Sequence, residues 1–168
     1  MILLETPRLL LRKFTLEDAP FIIELLNSDG WLKYIGDRNV KTVDEAKVYL
    51  QQVMKGDAGI GFGFCHVALK EGNIPIGLCG FVKREELDHA DIGFAFLPQY
   101  LRKGYGKEAA QACLDHGFSK LNMDRVLAIT MAENSSSIAL LKSLGMQFEK
   151  NIIMKEEELM LFSRNSVS

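Results

Sequence analysis

The stretch Ala90–Ala109, A-D-I-G-F-A-F-L-P-Q-Y-L-R-K-G-Y-G-K-E-A, decides the architecture. Asp91–Leu97 is an apolar run of strand length, and Pro98 ends it because proline cannot continue a ladder. Six residues, Pro98–Lys103, then lead to Gly104-Tyr105-Gly106. From Gly106 to Leu121 apolar residues recur at helical spacing, so the glycines open a helix. Arg125–Glu133 follows as a β-branched, apolar strand. A strand, a crossover helix and a second strand make a βαβ unit, whose two strands run parallel.

Upstream the pattern changes. Leu9–Phe14 reads as a short strand, and Thr15 with Asp18 resembles a capping box ahead of Phe21, Ile22, Leu25 and Leu26, although Pro20 sits awkwardly there. Thr42 and Glu45 form a cleaner capping box, followed by Ala46, Tyr49, Leu50 and Val53 at helical spacing. After the glycine cluster Gly56–Gly63 come the runs Phe64–Leu69, Pro75–Val82 and Asp91–Leu97. They are joined by Glu71-Gly72-Asn73 and by the charged Lys83–His89 connection, which predicts an antiparallel meander. Downstream, Ser136–Leu144 reads as a helix closed by Gly145, and two weak strands finish the chain. The expected order is β-α-α-β-β-β-α-β-α-β-β, without internal repeats: a mixed α/β sheet, antiparallel in its first half and parallel across the βαβ unit.

Composition restricts the partners. With 168 residues, 48% of them hydrophobic, the chain is sized for one domain with a real core. The formal charge is −2 and the pI about 5.9, with Lys and Arg scattered, so no nucleic-acid footprint and no anionic-membrane footprint is expected. The opening M-I-L-L-E-T-P-R-L-L-L-R-K-F is broken by Glu5, Pro7 and Arg8, and no apolar run approaches the roughly 18 residues of a membrane span. A soluble, cytoplasmic protein is expected. Cys65, Cys79 and Cys113 lack CxxC spacing and lie in apolar stretches, which predicts buried free thiols and no metal site.

The glycines of the βαβ turn suit an anion, because they let the backbone turn tightly before a helix whose first N–H groups are free. Three readings compete with a plain connection. A Walker P-loop is excluded, since Glu108 follows Gly106-Lys107 and position 101 is Leu. Gly104-Tyr105-Gly106-Lys107-Glu108-Ala109 does satisfy the dinucleotide fingerprint G-x-G-x-x-[GA]. Six residues nevertheless separate strand from glycines, and only about 60 follow Gly106, too few for the second half of a dinucleotide fold. The segment Gly59–Phe64, G-I-G-F-G-F, enters a strand and reads as a lead-in.

The third reading is a resemblance. The run Pro98–Ala109 between its two strands resembles the acetyl-CoA loop of GCN5-related N-acetyltransferases (the GNAT superfamily), and more narrowly the RimJ/RimL-type ribosomal-protein N-terminal acetyltransferase branch. Glu5–Arg12 (E-T-P-R-L-L-L-R), Thr15–Asp18, Ala90–Phe94 and Asn134–Met146 (N-S-S-S-I-A-L-L-K-S-L-G-M) match that branch in order. The resemblance implies a single domain over residues 1–168, with a mixed, mostly antiparallel central sheet of six to seven strands flanked by about four helices. It implies an acetyl-CoA-dependent N-acetyltransferase without a metal, whose partner is an amine, either a protein N-terminus or a small molecule; a homodimer is compatible with it. A non-catalytic acetyl-CoA-binding module is the alternative from another class, and a nucleotide-binding regulator the fallback. Two departures stand out: Leu101 occupies the place of a usual Gln or Arg, and Leu141 that of a Tyr able to protonate the departing thiolate.

The expected site follows from the reaction. An amine attacking a thioester must first lose a proton, from a pKa of about 8–10, so a base is needed. The resemblance makes Asp91 the first candidate, since the branch commonly has an acidic residue at that place; Glu85, Glu86 and His89, close in sequence, are the alternatives, and a solvated loop carboxylate is the bland reading. Ser137, where the branch carries a Ser as candidate acid, has helix capping as its competing role. The acetyl carbonyl is expected on backbone N–H groups of Phe94, Ala95 and Phe96, the pyrophosphate on Arg102, Lys103, Gly104, Tyr105, Gly106 and Lys107. Asn134 either contacts the pantetheine arm or ends a strand. Trp31, Tyr34 and Phe62 fall where relatives build an acceptor pocket, with core packing as the alternative; His66 and His116 read as structural. The resemblance implies direct attack without an acetyl-enzyme, and none of the cysteines falls at an acid–base position to argue otherwise.

Overall fold

The computed structural model describes residues 2–56 and 62–167, so residues 59–61 of the glycine-rich lead-in fall outside the described residues. Among the described residues eight strands form one sheet and five α-helices are present: the strands are β1 (Ile2–Glu5), β2 (Leu9–Arg12), β3 (Phe64–Leu69), β4 (Ile74–Val82), β5 (Asp91–Phe96), β6 (Arg125–Thr130), β7 (Gln147–Met154) and β8 (Glu157–Asn165). The helices packed on the sheet are α1 (Ala19–Leu26), α2 (Asp29–Tyr34), α3 (Val43–Lys55), α4 (Tyr105–Ser119) and α5 (Ser135–Ser143). The spatial order is β1-β2-β3-β4-β5-β6-β8-β7, and β5 with β6 is the parallel pair.

Local chemistry accounts for the boundaries. Thr42 and Glu45 satisfy each other's backbone N–H groups at the start of α3, as their spacing predicts. Thr15 and Asp18 do the same for a short 3-10 turn leading into α1, where Pro20 lies in the first turn and forfeits no helical hydrogen bond. At the other end of α5, Gly145 takes φ +80° and the Met146 N–H reaches back to the Leu141 carbonyl (3.1 Å), a Schellman close. The sheet and helix totals exceed expectation by β1 and α2. The strand expected over Arg125–Glu133 stops at Thr130, because residues 131–134 turn (Asn134 N–H to Met131 carbonyl, 3.0 Å) to enter α5.

Alternation along the strands divides the core. On one face α4 and α5 bury Ala109, Ala110, Cys113, Leu114, Leu141 and Leu144 against Cys79, Phe81, Ile92, Val126, Ala128 and Phe162. On the other, α1–α3 bury Ile22, Leu25, Trp31, Ala46 and Leu50 against Leu78 and Leu97. Each large side chain so buried contributes about 1.5–3 kcal/mol. On that second face a separate cluster, Leu87, Leu127, Met154 and Leu161, floors the half-sheet β6–β8 and contains no residue of α1–α5. All three cysteines are buried free thiols; burial pushes Cys65 up to about 12, and the Cys113 Sγ lies 3.7 Å from that of Cys79.

A glycine pair keeps the centre of the sheet thin. Gly80 and Gly93 are register partners on β4 and β5, and the Phe64 ring of β3 covers Gly93. A Cβ at Gly80 would sit 2.1 Å from the Gly63 carbonyl oxygen, which is backbone and cannot swing away. Gly80→Ala is therefore expected to lower unfolding free energy by about 3 kcal/mol, the upper end of ordinary overpacking. Gly30→Ala, in α2 with nothing within 4 Å of the new methyl, should raise it by roughly 0.5–1 kcal/mol. Urea unfolding of the two variants checks both signs.

Candidate active site

β5 and β6 part almost as soon as they meet. Their register holds one pair, Asp91 with Leu127, where β4 and β5 share six. The Leu127 N–H donates to the Ala90 carbonyl (3.0 Å), whereas the Leu97 N–H turns the other way, to Ile76 on β4 (2.9 Å). Backbone direction alternates along a strand, so the N–H and C=O groups of Phe94 and Phe96 face β6 beyond the last pair. Among the described residues they have no ladder partner there. The Ala95 backbone points instead to β4, its side chain joining the α1–α3 cluster. Of the strand residues expected to meet a ligand, Phe94 and Phe96 thus present backbone and Ala95 does not.

Both parallel strands are followed by helices whose N-termini stand at the open end of the split, the crevice where α/β sheets hold ligands. α4 begins with Gly104 at φ +83°, two residues after Arg102 at φ +62°. Because the Glu108 N–H is the first to return to the helix, bonding the Gly104 carbonyl (3.1 Å), the N–H groups of Tyr105, Gly106 and Lys107 are free of it. These donors, with exposed Arg102, Lys103 and Lys107, form a turn shaped for an anion. Leu101 is exposed, and its side chain adds no polar contact. Gly106 permits close packing: a Cβ there would lie 3.2 Å from Leu140 of α5 and 3.5 Å from Phe96.

A clamp that sequence reasoning missed holds this turn. The Arg8 Nη1 donates to the Lys103 carbonyl (3.0 Å), its Nε pairs with Glu108 Oε1 (2.8 Å), and its guanidinium lies 4.4 Å from the Tyr105 ring centroid. The Arg8 N–H and the Thr6 hydroxyl donate to Glu108 Oε2. Burial works against the Glu108 charge, but hydrogen bonds from Thr6 and Arg8 outweigh it and hold the carboxyl below its ordinary range. Its residues lie in Glu5–Arg8, part of the stretch that carries the family resemblance.

Asp91 lies at the closed end of the split, five residues or about 16 Å along β5 from Phe96. It is 1% exposed, and Arg84 Nε donates to its Oδ1 at 3.1 Å. Burial raises the carboxyl to about 6, against the opposing pull of Arg84 and, more weakly, Lys83. It is therefore no solvated loop end. Glu85, Glu86 and His89 remain on the surface connection between β4 and β5, with His89 Nδ1 3.0 Å from Asp88 Oδ1. Beside Leu127, Asp91's register partner, a cleft of about 440 Å³ opens on the half-sheet without helical cover, floored by Leu87, Met154 and Leu161 and rimmed by Glu86, Arg125 and Glu149.

The remaining expectations divide. Asn134 does not end a strand: it is the N-cap of α5, its side chain accepting from the Ser137 N–H at 3.2 Å. Capping thus belongs to Asn134 and not to Ser137, whose hydroxyl has no hydrogen bond among the described residues. Leu141 is buried in the core one turn further on. Trp31 and Phe62 are buried too, Phe62 packing on Phe81 and His116, so neither lines an open pocket; Tyr34 is half-buried. His66, pressed between Phe14 and Phe21, is pushed by burial down to about 4 and stays neutral.

Comparison with known proteins agrees with this layout. Residues 8–147 match the model of the acetyltransferase (GNAT) domain. The uncharacterised N-acetyltransferase YnaD of Bacillus subtilis is 35% identical over 156 residues, 91% of this chain and 89% of that protein. A GNAT-family acetyltransferase of Bacillus anthracis superposes with a TM-score of 0.81 at 28% identity, over 98% of both chains. RimL, the ribosomal L7/L12 α-N-protein acetyltransferase in complex with coenzyme A, shares the fold at a TM-score of 0.85 and 16% identity, over 99% of this chain and 98% of that one. With the family's domain spanning the split strands, the anion-shaped turn and both flanking helices, this chain belongs to the GNAT family of N-acetyltransferases.

Proposed function

We propose that the protein is a single-domain, acetyl-CoA-dependent enzyme that moves an acetyl group to a primary amine, of a protein N-terminus or a small molecule, by direct attack. The observation that carries this is the split between β5 and β6, with unpaired backbone along one side, free helix N–H groups at one end and a buried carboxylate at the other. Such a slot suits a ligand that is a thin, amide-bearing arm ending in a pyrophosphate. Bound acetyl-CoA supplies the activated acyl group. In this reading Arg102–Lys107 hold the pyrophosphate through the N–H groups of Tyr105–Lys107 and the side chains of Arg102 and Lys103. The Phe94 and Phe96 backbone orients the arm and the acetyl carbonyl. Asp91, ionised at neutral pH, takes the amine's proton, and Ser137, with its hydroxyl uncommitted, is positioned on α5 to return one to the leaving thiolate. Asn134 acts through α5, whose first turn it fixes.

Ligand choice tests the first half. Acetyl-CoA at about 100 times its Kd should raise Tm by roughly 5–10 °C, with no rise from NAD or ATP. Stabilisation by NAD or ATP alone overturns the assignment, and thiol release over a panel of amines and N-terminal peptides separates an enzyme from a binding module.

Asp91→Asn tests the second half in two ways. It should lower kcat/KM by roughly 100-fold or more and remove the rise of rate with pH centred near 6, while acetyl-CoA affinity holds. It should also stabilise the fold. The carboxyl titrates near 3.8 ordinarily and near 6 when folded, so the folded chain binds the proton more tightly and loses stability as pH rises through 6. Asn escapes that loss: the variant should gain about 2–3 kcal/mol above pH 6, and the gain should vanish below pH 4. Urea titrations at pH 4 and 7 measure it.

A further inference from the structure

We infer that Arg84 is a positioning residue for acetyl transfer: its Nε fixes one oxygen of the buried Asp91 carboxylate and keeps that carboxylate charged, leaving the other oxygen to receive the amine's proton. The inference rests on Asp91 being the base. Its grounds are geometric. Asp91's side chain is 2% exposed and Arg84's 33%, so the ion pair joins a buried anion to a cation still in contact with water. The contact runs through Nε to Oδ1 alone, where a bidentate fork would have used both oxygens. Oδ2 accepts no hydrogen bond among the described residues, yet it is not among the side-chain atoms that are sealed and unpartnered. It therefore keeps a little solvent contact and stays free to accept a proton.

The surroundings contain little else that can do this work. Across β4 the register partner is Val82, and across β6 it is Leu127, both apolar. On β6 the next side chain of that face toward the strand's start, Arg125, is engaged by Glu149 and by Asn165. In the connecting loop Lys83 turns its Nζ to the carbonyls of Arg84 and Leu87, His89 is paired with Asp88, and Glu85 and Glu86 stand exposed. Arg84 is the one cation in contact with the carboxylate among the described residues. An opposite charge at this range holds a carboxyl down by about 1–3 pH units, while burial alone drives it up. Without Arg84 the base would be largely protonated at neutral pH.

The experiment is a carbon-13 NMR titration of the Asp91 carboxyl, paired with the pH dependence of kcat/KM, in wild type, Arg84→Met, Arg84→Lys and Asp91→Asn. The wild-type midpoint is expected near 6. Arg84→Met should move the midpoint and the rising limb of the rate profile upward together by about 1–3 units. Arg84→Lys should restore much of both. Arg84 is partly exposed on a loop, so these variants should fold, and Arg84→Gln serves should Arg84→Met not. A purely structural role would lower the rate at every pH with midpoint and limb unmoved, which overturns the inference. If Asp91→Asn retains the limb, the base assignment fails and the positioning role falls with it. If Asp91→Asn loses the limb while Arg84→Met leaves the midpoint in place, the base stands and Arg84 alone is refuted.

Discussion

The parting of β5 from β6 is the constraint on which the rest of this structure depends. A parallel pair normally satisfies its backbone along its whole length, and giving up that ladder after Asp91–Leu127 leaves polar groups exposed in the middle of a sheet. Such a gap survives only if both strands are held from elsewhere. β5 is pinned by six register pairs with β4, and β6 by six with β8. The insertion of β8 between β6 and β7 follows the same logic: β6 needs a full antiparallel partner on its outer side because its inner side is open. The two crossover helices then have to cover one face of the gap, which they do through Gly106, Leu140 and Phe96 in close contact.

The anion turn depends on a partner equally remote in sequence. Arg102 and Gly104 adopt left-handed backbone, a conformation that a non-glycine residue holds only when its neighbours enforce it. Arg8 provides the enforcement by bonding the Lys103 carbonyl and the Glu108 carboxylate from either side of the turn. Glu108 would otherwise set an uncompensated negative charge in the first turn of α4, beside the free helix N–H groups. Neutralised by Arg8 and Thr6, it becomes an anchor that leaves the field of the helix terminus intact. The turn's shape is fixed from the β1–β2 connection rather than by a polar side chain at Leu101.

Most of the fold was legible where a local signal existed. Capping boxes, the Gly145 close and the alternating runs of β3, β4 and β5 each carry their own chemistry, and the elements appear within a residue or so of expectation. β1 and α2 went unread for opposite reasons. The first is a four-residue edge strand without alternation; the second is six residues long, contains Gly30 and buries Trp31 alone. For Asn134 the sequence left open a contact with the pantetheine arm or a strand end, and neither reading considered the N-cap role that an Asn ahead of a helix favours. In the candidate site, Asp91 was singled out by the resemblance and the glycine turn by its G-x-G spacing ahead of a helix. The clamp was not, since Arg8 and Glu108 lie 100 residues apart. The charged run Lys83–His89 likewise could not reveal which cation reaches Asp91.

The proposed role of Asp91 places the base at the vertex of the split, and the physical setting there differs from that at the mouth. At the mouth the strands admit water, and a carboxylate there would titrate near its ordinary value, too weak to draw a proton from an ammonium group at neutral pH. Deeper in the sheet, sealed on every side, it would be forced neutral. The last register pair gives an intermediate environment: Leu127 and Val82 exclude water on two sides, and Arg84 offsets part of the lost hydration from the third. Burial and ion pairing oppose each other, and burial wins by a margin that leaves the group mostly ionised at pH 7 yet more basic than a surface aspartate. Both effects come from the geometry that opens the slot, so strand separation and base strength cannot be varied independently in this protein.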